Sequence, residues 1–416
     1  MFGPVDFRCC RTLVALPLII WASTSHALTY NEAIGLAEAH ASELKSRQNS
    51  AASARASQIS AGELPDPKLV MGVDNLPVQG SEAWNTTRDF MTMQRVGVMQ
   101  EVTNADKRDA VRRLANANVV KADMEFTLER LNVRRQTMIA WIKVYYAERR
   151  RDLLDALDTE NKLLAIALTS QLKAAQGKSE DSLQARLENA SLADRRDELQ
   201  RDIASARAEL ARWIGPSAND PLTGPPPSYT PHPEHLHENL EHHPDIAVYG
   251  AEEASAQAEV ALAEAAKKPD WGVELDYLHR GPAFGDMVSV QFTFDLPVFS
   301  QTRQNPQIAA RKRDVDRVAE EKETMLRRHK QELETLLAEQ TALTHQIERI
   351  DSEWLPLRQE KLLLSTAAYK SGKEPLTTVL DSRRSLLETR MKRIDLEERR
   401  SSAETSLRYL SEENRP

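Results

Sequence analysis

Cysteine is almost missing from the 416-residue sequence: its two copies, Cys9 and Cys10, lie side by side near the N-terminus. Glycine is scarce, with 14 residues, and aromatic residues make up only 5% of the chain. These shortages argue against a disulfide-bonded domain, a cysteine-bound metal or one large compact core. The charged residues, 28% of the chain, lie in long stretches rich in Ala, Leu, Glu and Arg, which indicate elongated helices.

A surplus of basic charge is also absent. The 55 basic and 63 acidic residues are interleaved and give a formal net charge of -8, so no basic face is offered to nucleic acid. The sequence has no P-loop, GxSxG, HExxH or dinucleotide-binding glycine pattern. We therefore predict that the protein is not an enzyme, needs no cofactor and binds no nucleic acid.

The N-terminal segment has the pattern of an export signal. Arg8 and Arg11 precede the apolar run 13–22, and the segment 25–27 (Ser-His-Ala) supplies the small residues that a signal peptidase reads. We predict a signal peptide at 1–27, whose removal leaves no N-terminal cysteine for a lipid anchor. An uncleaved membrane anchor is the alternative, but the apolar run is shorter than the ~20 residues that span a bilayer.

The second half of the chain repeats the first with an offset of about 195 residues. The segment 96–102 matches 292–298, and 176–178 matches 371–373. Each half is predicted to run as helix, two strands, very long helix, turn and long helix. We divide the mature chain into a first repeat, 28–215, a Pro- and His-rich linker, 216–243, and a second repeat, 244–416. The linker is expected in the equatorial region, that is, around the middle of the long helices.

Helix-breaking residues are rare in two long segments. Between Gly97 and Gly215 there is one glycine, Gly177, and no proline; after Gly285 the only glycine is Gly372. Each segment can run as one helix of about 100 Å, and its glycine can close a hairpin through a left-handed C-cap. In the helices that follow these glycines, apolar residues recur about every 3.5 residues, which indicates coiled-coil packing. The predicted helices are ~31–60, ~105–175, ~180–213, ~244–267, ~303–370 and ~375–410.

Four short segments alternate between apolar and polar residues, as strands with one apolar and one polar face do. The clearest are 288–298 and 271–278, with weaker counterparts at 68–74 and 90–102 in the first repeat. The apolar positions of the clearest segment are Val288, Val290, Phe292, Phe294, Leu296 and Val298. Such alternation over about 9–11 residues is typical of strands that span a membrane.

Four strands cannot close a barrel, and the open edges of a lone sheet are costly in lipid. Three copies would supply twelve strands, whereas two would supply eight, too few for a wide conduit. We therefore predict an α+β membrane protein built from an internal duplication, with a long α-helical coiled-coil barrel and a transmembrane β-barrel shared by a trimer. The alternative left open is a soluble periplasmic adaptor with a β-domain flanked by coiled coils.

The order of these elements resembles the TolC-type outer-membrane factor family over nearly the whole mature chain, 28–410. The strongest local likeness is 368–382, where Tyr369, Gly372 and a Val-Leu-Asp run at 379–381 are similar to that family's hairpin motif. The resemblance implies a homotrimer that is embedded in outer-membrane lipid and extends into the periplasm. It also implies passive conduction of cargo, with a periplasmic adaptor protein and an inner-membrane RND-type pump as partners.

Within that family, the chain length and short loops look like the ducts of heavy-metal exporters of the cobalt–zinc–cadmium type. This likeness implies divalent heavy-metal cations as the cargo. A drug-efflux duct or a type I secretion duct is the neighbouring alternative.

The resemblance also implies where the duct closes and where the adaptor binds. In the family, an acidic pair rings the narrowed end of the tunnel; counted from Gly372, the pair falls on Thr378 and Asp381, of which only Asp381 has a carboxylate. Three symmetry-related carboxylates facing a narrow pore attract cations and repel one another. On a solvated helix face, Asp381 would instead pair with Arg384. The implied adaptor-contacting tips are Gly177, Lys178, Gly372 and Lys373.

Histidines cluster at the linker, at positions His232, His235, His237, His242 and His243. Imidazoles among carboxylates suit zinc, nickel or cobalt. Their spacing does not place three ligands on one helical face, and a helix is predicted to begin near His243. We regard the five as weak metal candidates, with a solvated, incidentally His-rich linker as the simpler interpretation.

Overall fold

The computed structural model describes residues 27–174 and 178–411. The predicted signal peptide up to residue 26, with Cys9 and Cys10, and the tip residue Gly177 lie outside this part of the chain. The described residues form long helices and a four-stranded sheet. In chain order, the elements are α1 (Tyr30–His40), α2 (Ser42–Ile59), β1 (Lys68–Asp74), β2 (Met93–Val102), α3 (Ala105–Lys173), α4 (Ser179–Ile214), α5 (Pro233–Asn239), α6 (Pro244–Ala265), β3 (Trp271–His279), β4 (Met287–Phe294), α7 (Gln304–Arg349), α8 (Leu355–Lys370) and α9 (Leu376–Leu410).

Helix α3 is an uninterrupted rod of 69 residues, which spans about 100 Å at 1.5 Å per residue. Asn104 caps its N-terminus, because the side-chain oxygen accepts the backbone N–H of Lys107 at 2.8 Å. No glycine or proline interrupts the helix. Helix α4 packs back along α3 and forms the first long hairpin. Among the described residues, no helix has both the length and the apolar character that crossing a membrane requires.

The second rod follows a similar course in three parts: α7, a π-helical turn at Ile350–Trp354, and α8. Pro356, in the first turn of α8, has no N–H to donate, and its ring crowds the carbonyl one turn earlier. A wider π turn just before the proline accommodates both effects. The expectation of one regular helix over ~303–370 is therefore wrong at this turn, although the rod continues through it.

Helix α8 ends in a tight turn that leads into α9. Gly372 has a φ of +74°, the left-handed conformation that glycine adopts at little cost. Its N–H donates to the Tyr369 carbonyl, and the Lys373 N–H donates to the Ala368 carbonyl, both at 2.9 Å. These two bonds define a Schellman motif, so the second hairpin tip has a fully formed C-cap.

The strands form one antiparallel sheet in the order β1-β2-β3-β4, so the two repeats meet between β2 and β3. Strand β2 begins at Met93, three residues later than predicted, and β4 ends at Phe294 instead of 298. Pro297 has no N–H for the ladder, and the Val298 N–H already donates to the Leu296 carbonyl at 2.9 Å in a turn. Leu296 and Val298 therefore lie beyond the strand.

The two largest buried clusters lie where the shorter helices meet the long rods. In the first repeat it centres on Trp141 of α3, which is fully buried with the Tyr30 ring edge-on at 5.5 Å between centroids. A second cluster joins α3, α5, α7 and α9, and it consists of Leu131, Leu236, Leu240, Leu333, Leu407, Tyr409 and Leu410. Because linker residues Leu236 and Leu240 are part of it, the linker is packed against the rods instead of being wholly solvated.

Candidate functional sites

One face of the sheet is a continuous apolar surface. Residues paired across strands project from the same face, and the pairings Leu69↔Val98, Val98↔Leu275 and Leu275↔Val290 make a four-strand apolar row. A parallel row contains Met71, Val96, Tyr277 and Val288. These side chains are exposed in the protomer, up to 70% at Met71. Exposed apolar patches of this extent generally mark surfaces that bind lipid or protein.

The opposite face of the sheet is polar. Arg95 lies 3.6 Å from the carboxylates of both Asp74 and Glu274. Asp276 is buried against Gly97, where an added Cβ would lie 1.9 Å from the aspartate Oδ1. Gly97 is therefore required by close approach, and the two faces differ as the alternation in the sequence predicts.

Both outer edges of the sheet are open. In the described chain, β1 pairs only with β2, and β4 pairs only with β3. The outer N–H and C=O groups of both strands therefore lack partners within the sheet. In lipid each such group costs several kcal/mol, so a sheet exposed to lipid through its apolar face needs further strands at both edges.

The predicted gate residues lie in the first turns of α9, after Pro375. The Asp381 side chain is 71% exposed, and its Oδ1 lies 3.7 Å from Arg384 Nη1. Arg384 makes its closer contact, 2.5 Å, with Glu188 of α4. Thr378 is half-buried, and its carbonyl accepts the Ser382 hydroxyl at 2.8 Å. Asp381 is thus more available to bind a ligand than Thr378, because its cationic neighbour, Arg384, is paired with Glu188.

Two contacts near the tips join the hairpins of the two repeats, and the sequence did not single them out. The Tyr369 hydroxyl donates to Asp181 of α4 at 3.0 Å, and Arg384 reaches Glu188 of the same helix. Burial raises the pKa of the Tyr369 hydroxyl, which keeps it a donor. Tyr369, as part of the 368–382 motif, was the sequence signal that could have pointed to the first of these contacts. Of the predicted tip residues, Lys178, Gly372 and Lys373 are exposed.

The structure does not bring the five linker histidines together. His232, His235, His237 and His242 are exposed, and the nearest carboxylate to His237 Nε2 belongs to Glu334 at 3.3 Å. His243 is different because it is fully buried. It caps α6, where its Nδ1 accepts the Asp245 backbone N–H at 3.2 Å.

His243 lies beside Asp245, two residues further along the chain, and beside the distant His329. One potential ligand atom of each lies within 4.8 Å of the others, and in the described residues this is the group of three that geometry allows to hold a metal ion. Burial lowers the pKa of His243. Burial alone would raise the pKa of Asp245, but the His329 hydrogen bond and the nearby imidazoles hold it below its usual value. Nothing in the local sequence pointed to His329, which lies on α7.

Residues 235–411 match the family described as "Outer membrane efflux protein". The matched segment is less than half of the 416 residues and runs from the end of the linker through the second repeat. That description names an efflux protein of the outer membrane, which agrees with the predicted location and with the expectation that the protein is not an enzyme. No curated protein sequence matches the chain significantly.

Solved structures of outer-membrane channels share the fold along nearly the whole chain. CusC is 17% identical, with a TM-score of 0.78 over 92% of this chain and 91% of that one. VceC of Vibrio cholerae is 18% identical, with a TM-score of 0.76 over 92% and 95%. The open state of MtrE from Neisseria gonorrhoeae is 16% identical, with a TM-score of 0.73 over 92% and 88%. The predicted α+β architecture with long helical hairpins is confirmed.

Proposed function

We propose that the protein is an outer membrane efflux protein and the subunit of a homotrimeric duct, which conducts cargo passively across the periplasm and the outer membrane. The observation that carries the proposal is the four-stranded sheet with an exposed apolar face and two open edges, placed at one end of rods about 100 Å long. Three copies joined β4 to β1 would make a closed sheet of twelve strands with its apolar face in lipid.

We assign the far end of the rods to the partners. Lys178, Gly372 and Lys373 are exposed at the tips, farthest along each hairpin from the sheet. We assign these tips to a periplasmic adaptor protein, which links the duct to an inner-membrane RND-type pump. The pump supplies the energy, because the sequence has no nucleotide-binding motif.

For the cargo, we propose divalent heavy-metal cations. The support is Asp381, an exposed carboxylate near the tip, which in a trimer would be repeated three times around the opening. Such a ring attracts cations and excludes anions. Organic compounds or secreted polypeptides are the neighbouring alternative, and the two classes of cargo can be separated by growth tests.

The duct itself is tested by location, assembly and conductance. The protein should be recovered from the outer-membrane fraction as a trimer that SDS and heat dissociate, and it should form channels in planar bilayers. Asp381→Asn should lower the cation selectivity of these channels, whereas Glu374→Gln, on the same tip, should change it less. A monomer in the periplasmic wash would refute the duct.

The cargo is tested in cells that lack the gene. Deletion should reduce tolerance to zinc, cobalt or nickel by a larger factor than tolerance to dyes and detergents. The opposite order would assign the duct to organic compounds, and it would leave the conductance result untouched.

A further inference from the structure

A buried cluster of two imidazoles and one carboxylate lies at the junction of α6, α7 and the end of α9. His243 and Asp245 come from the start of α6, and His329 comes from α7. The side chains of His243 and His329 are 0% and 5% exposed, and that of Asp245 is 19% exposed. Two histidines that are almost fully removed from water, on elements far apart in sequence, are costly unless their polar atoms have partners.

The distances within the cluster match those of ligands that share one metal ion. The Asp245 Oδ2 atom lies 3.2 Å from His329 Nε2 and 3.7 Å from His243 Nδ1. In a tetrahedral zinc site with bonds of about 2.0–2.1 Å, ligand atoms are ~3.4 Å apart. An ion could therefore enter between these atoms with only small movements of the side chains.

Surrounding contacts already orient the ligands. His243 Nε2 lies 3.0 Å from the Tyr409 carbonyl and donates to it, so the Nδ1 lone pair is on the side of Asp245. That lone pair accepts the Asp245 backbone N–H at 3.2 Å, a bond that an ion would have to replace. The Tyr409 hydroxyl donates to Asp245 Oδ2 at 3.1 Å. Metal-binding histidines commonly donate their second ring N–H to a carbonyl in this way, and such partners raise metal affinity.

One buried polar atom of the cluster has no hydrogen-bond partner. His329 Nδ1 is buried and has no hydrogen-bond partner. An open cavity of about 520 Å³ borders the cluster, and His329, Asp245 and Tyr409 contribute to its wall. This cavity gives an ion a route from solvent and leaves room for a water molecule as the fourth ligand. Arg135, on the same wall, is paired with Glu332 at 3.5 Å.

We propose that His243, Asp245 and His329 bind one divalent cation of the zinc, cobalt and nickel class in each protomer. Two imidazoles and a carboxylate are the ligand set that these ions accept. Bound there, the ion ties the first turn of α6 to α7 and, through Tyr409, to the end of α9. The site is structural or regulatory and lies apart from Asp381, so it does not depend on which cargo the duct conducts.

The test uses the purified full-length protein, stripped with EDTA and then titrated with cobalt chloride. We expect about one cobalt per protomer and the visible absorption bands of a tetrahedral cobalt site. His329→Gln should abolish both signals. His345→Gln is the matched control, because His345 lies on the same helix, is exposed and has the Glu348 carboxylate 3.5 Å away. This variant should bind cobalt as the parent does.

Tyr409→Phe keeps all three ligands and removes only the orienting hydroxyl, so it should weaken cobalt binding by about tenfold or more without abolishing it. This variant keeps the test decisive if His329→Gln fails to fold. No stoichiometric cobalt uptake by the parent protein, or equal uptake by the His329 and His345 variants, would overturn the proposal.

Discussion

The two repeats share an architecture, but different chemistry joins their helices near the middle of the rods. In the first repeat, Arg134 of α3 pairs with Glu38 of α1, close to the core around Trp141. The repeat offset of 195 residues relates Arg134 to position 329 in the second repeat, because 329 − 134 = 195. That position is His329 of α7, which contacts Asp245 of α6. A duplicated segment keeps its helices as long as it keeps the pattern of apolar residues. A polar junction between helices, in contrast, depends on individual side chains. A repeated fold therefore does not imply a repeated site.

The largest expected effect is that of Trp141→Ala, which tests whether the first rod depends on its aromatic core. Trp141 is fully buried, whereas Trp354 of the second rod is 47% exposed. Loss of a buried Trp side chain costs about 3–5 kcal/mol, so the variant should unfold at a much lower denaturant concentration. Trp354→Ala should cost less than about 1 kcal/mol. Equal costs would mean that sister chains bury Trp354 and would remove the contrast between the rods.

Gly97→Val should have the next largest effect, and it tests the seam where the repeats meet. The new side chain would collide with Asp276 and with the Leu275 carbonyl, 2.7 Å from the added Cβ. Overpacking of this kind costs about 1–3 kcal/mol, and we expect fewer trimers in the outer-membrane fraction. Gly72→Val is the control, because nothing lies within 4 Å of its Cβ position. Similar trimer yields for both variants would show that the seam tolerates rearrangement.

Gly372→Ala tests the tip of the second hairpin. A residue with a Cβ pays about 1–2 kcal/mol in the left-handed conformation, so the free energy of unfolding should fall by about that amount. Gly250→Ala, inside α6 with open space around it, should raise stability by about 0.5–1 kcal/mol. Denaturant unfolding of both variants gives the comparison, and the same sign for both would contradict the assigned tip geometry.

The smallest expected effect is the coupling between Arg134 and Glu38. Their side chains are 14% and 29% exposed, and ion pairs that retain contact with water contribute about 0.2–1 kcal/mol. A double-mutant cycle with Arg134→Gln and Glu38→Gln measures this value. The same cycle on Asp245 and His329, in metal-free protein, should give a larger coupling, since partners in one buried network couple by about 0.5–3 kcal/mol. The reverse order would refute the contrast between the junctions.

Features with a strong local cause were predictable from the sequence. The strand at 68–74, the long helix ending near residue 173 and the left-handed turn at Gly372 all follow from alternation, the absence of breakers and the freedom of glycine. The π turn before Pro356 and the early end of β4 at Phe294 were not predicted. In both places a proline changes the backbone hydrogen bonds of residues up to one turn away. The spacing of apolar residues along the sequence does not reveal such a change.

The candidate metal cluster was predictable only in part. His243 was among the five candidates, but a tally of histidines near the linker treated all five alike, whereas the fold buries one and exposes the other four. His329 lies more than eighty residues away and shows no local pattern. Its partnership with Asp245 arises from the packing of α6 on α7, which a single sequence does not specify residue by residue.

The unequal edges of the sheet have a genetic consequence. A ring closed by β1 of one copy against β4 of the next uses two different surfaces, so a chain with one ruined edge can still join a neighbour through the other. Such a chain enters an assembly and then prevents it from sealing. Mutations at either edge are therefore expected to be dominant, silencing wild-type copies produced in the same cell, whereas chains that never fold should be recessive.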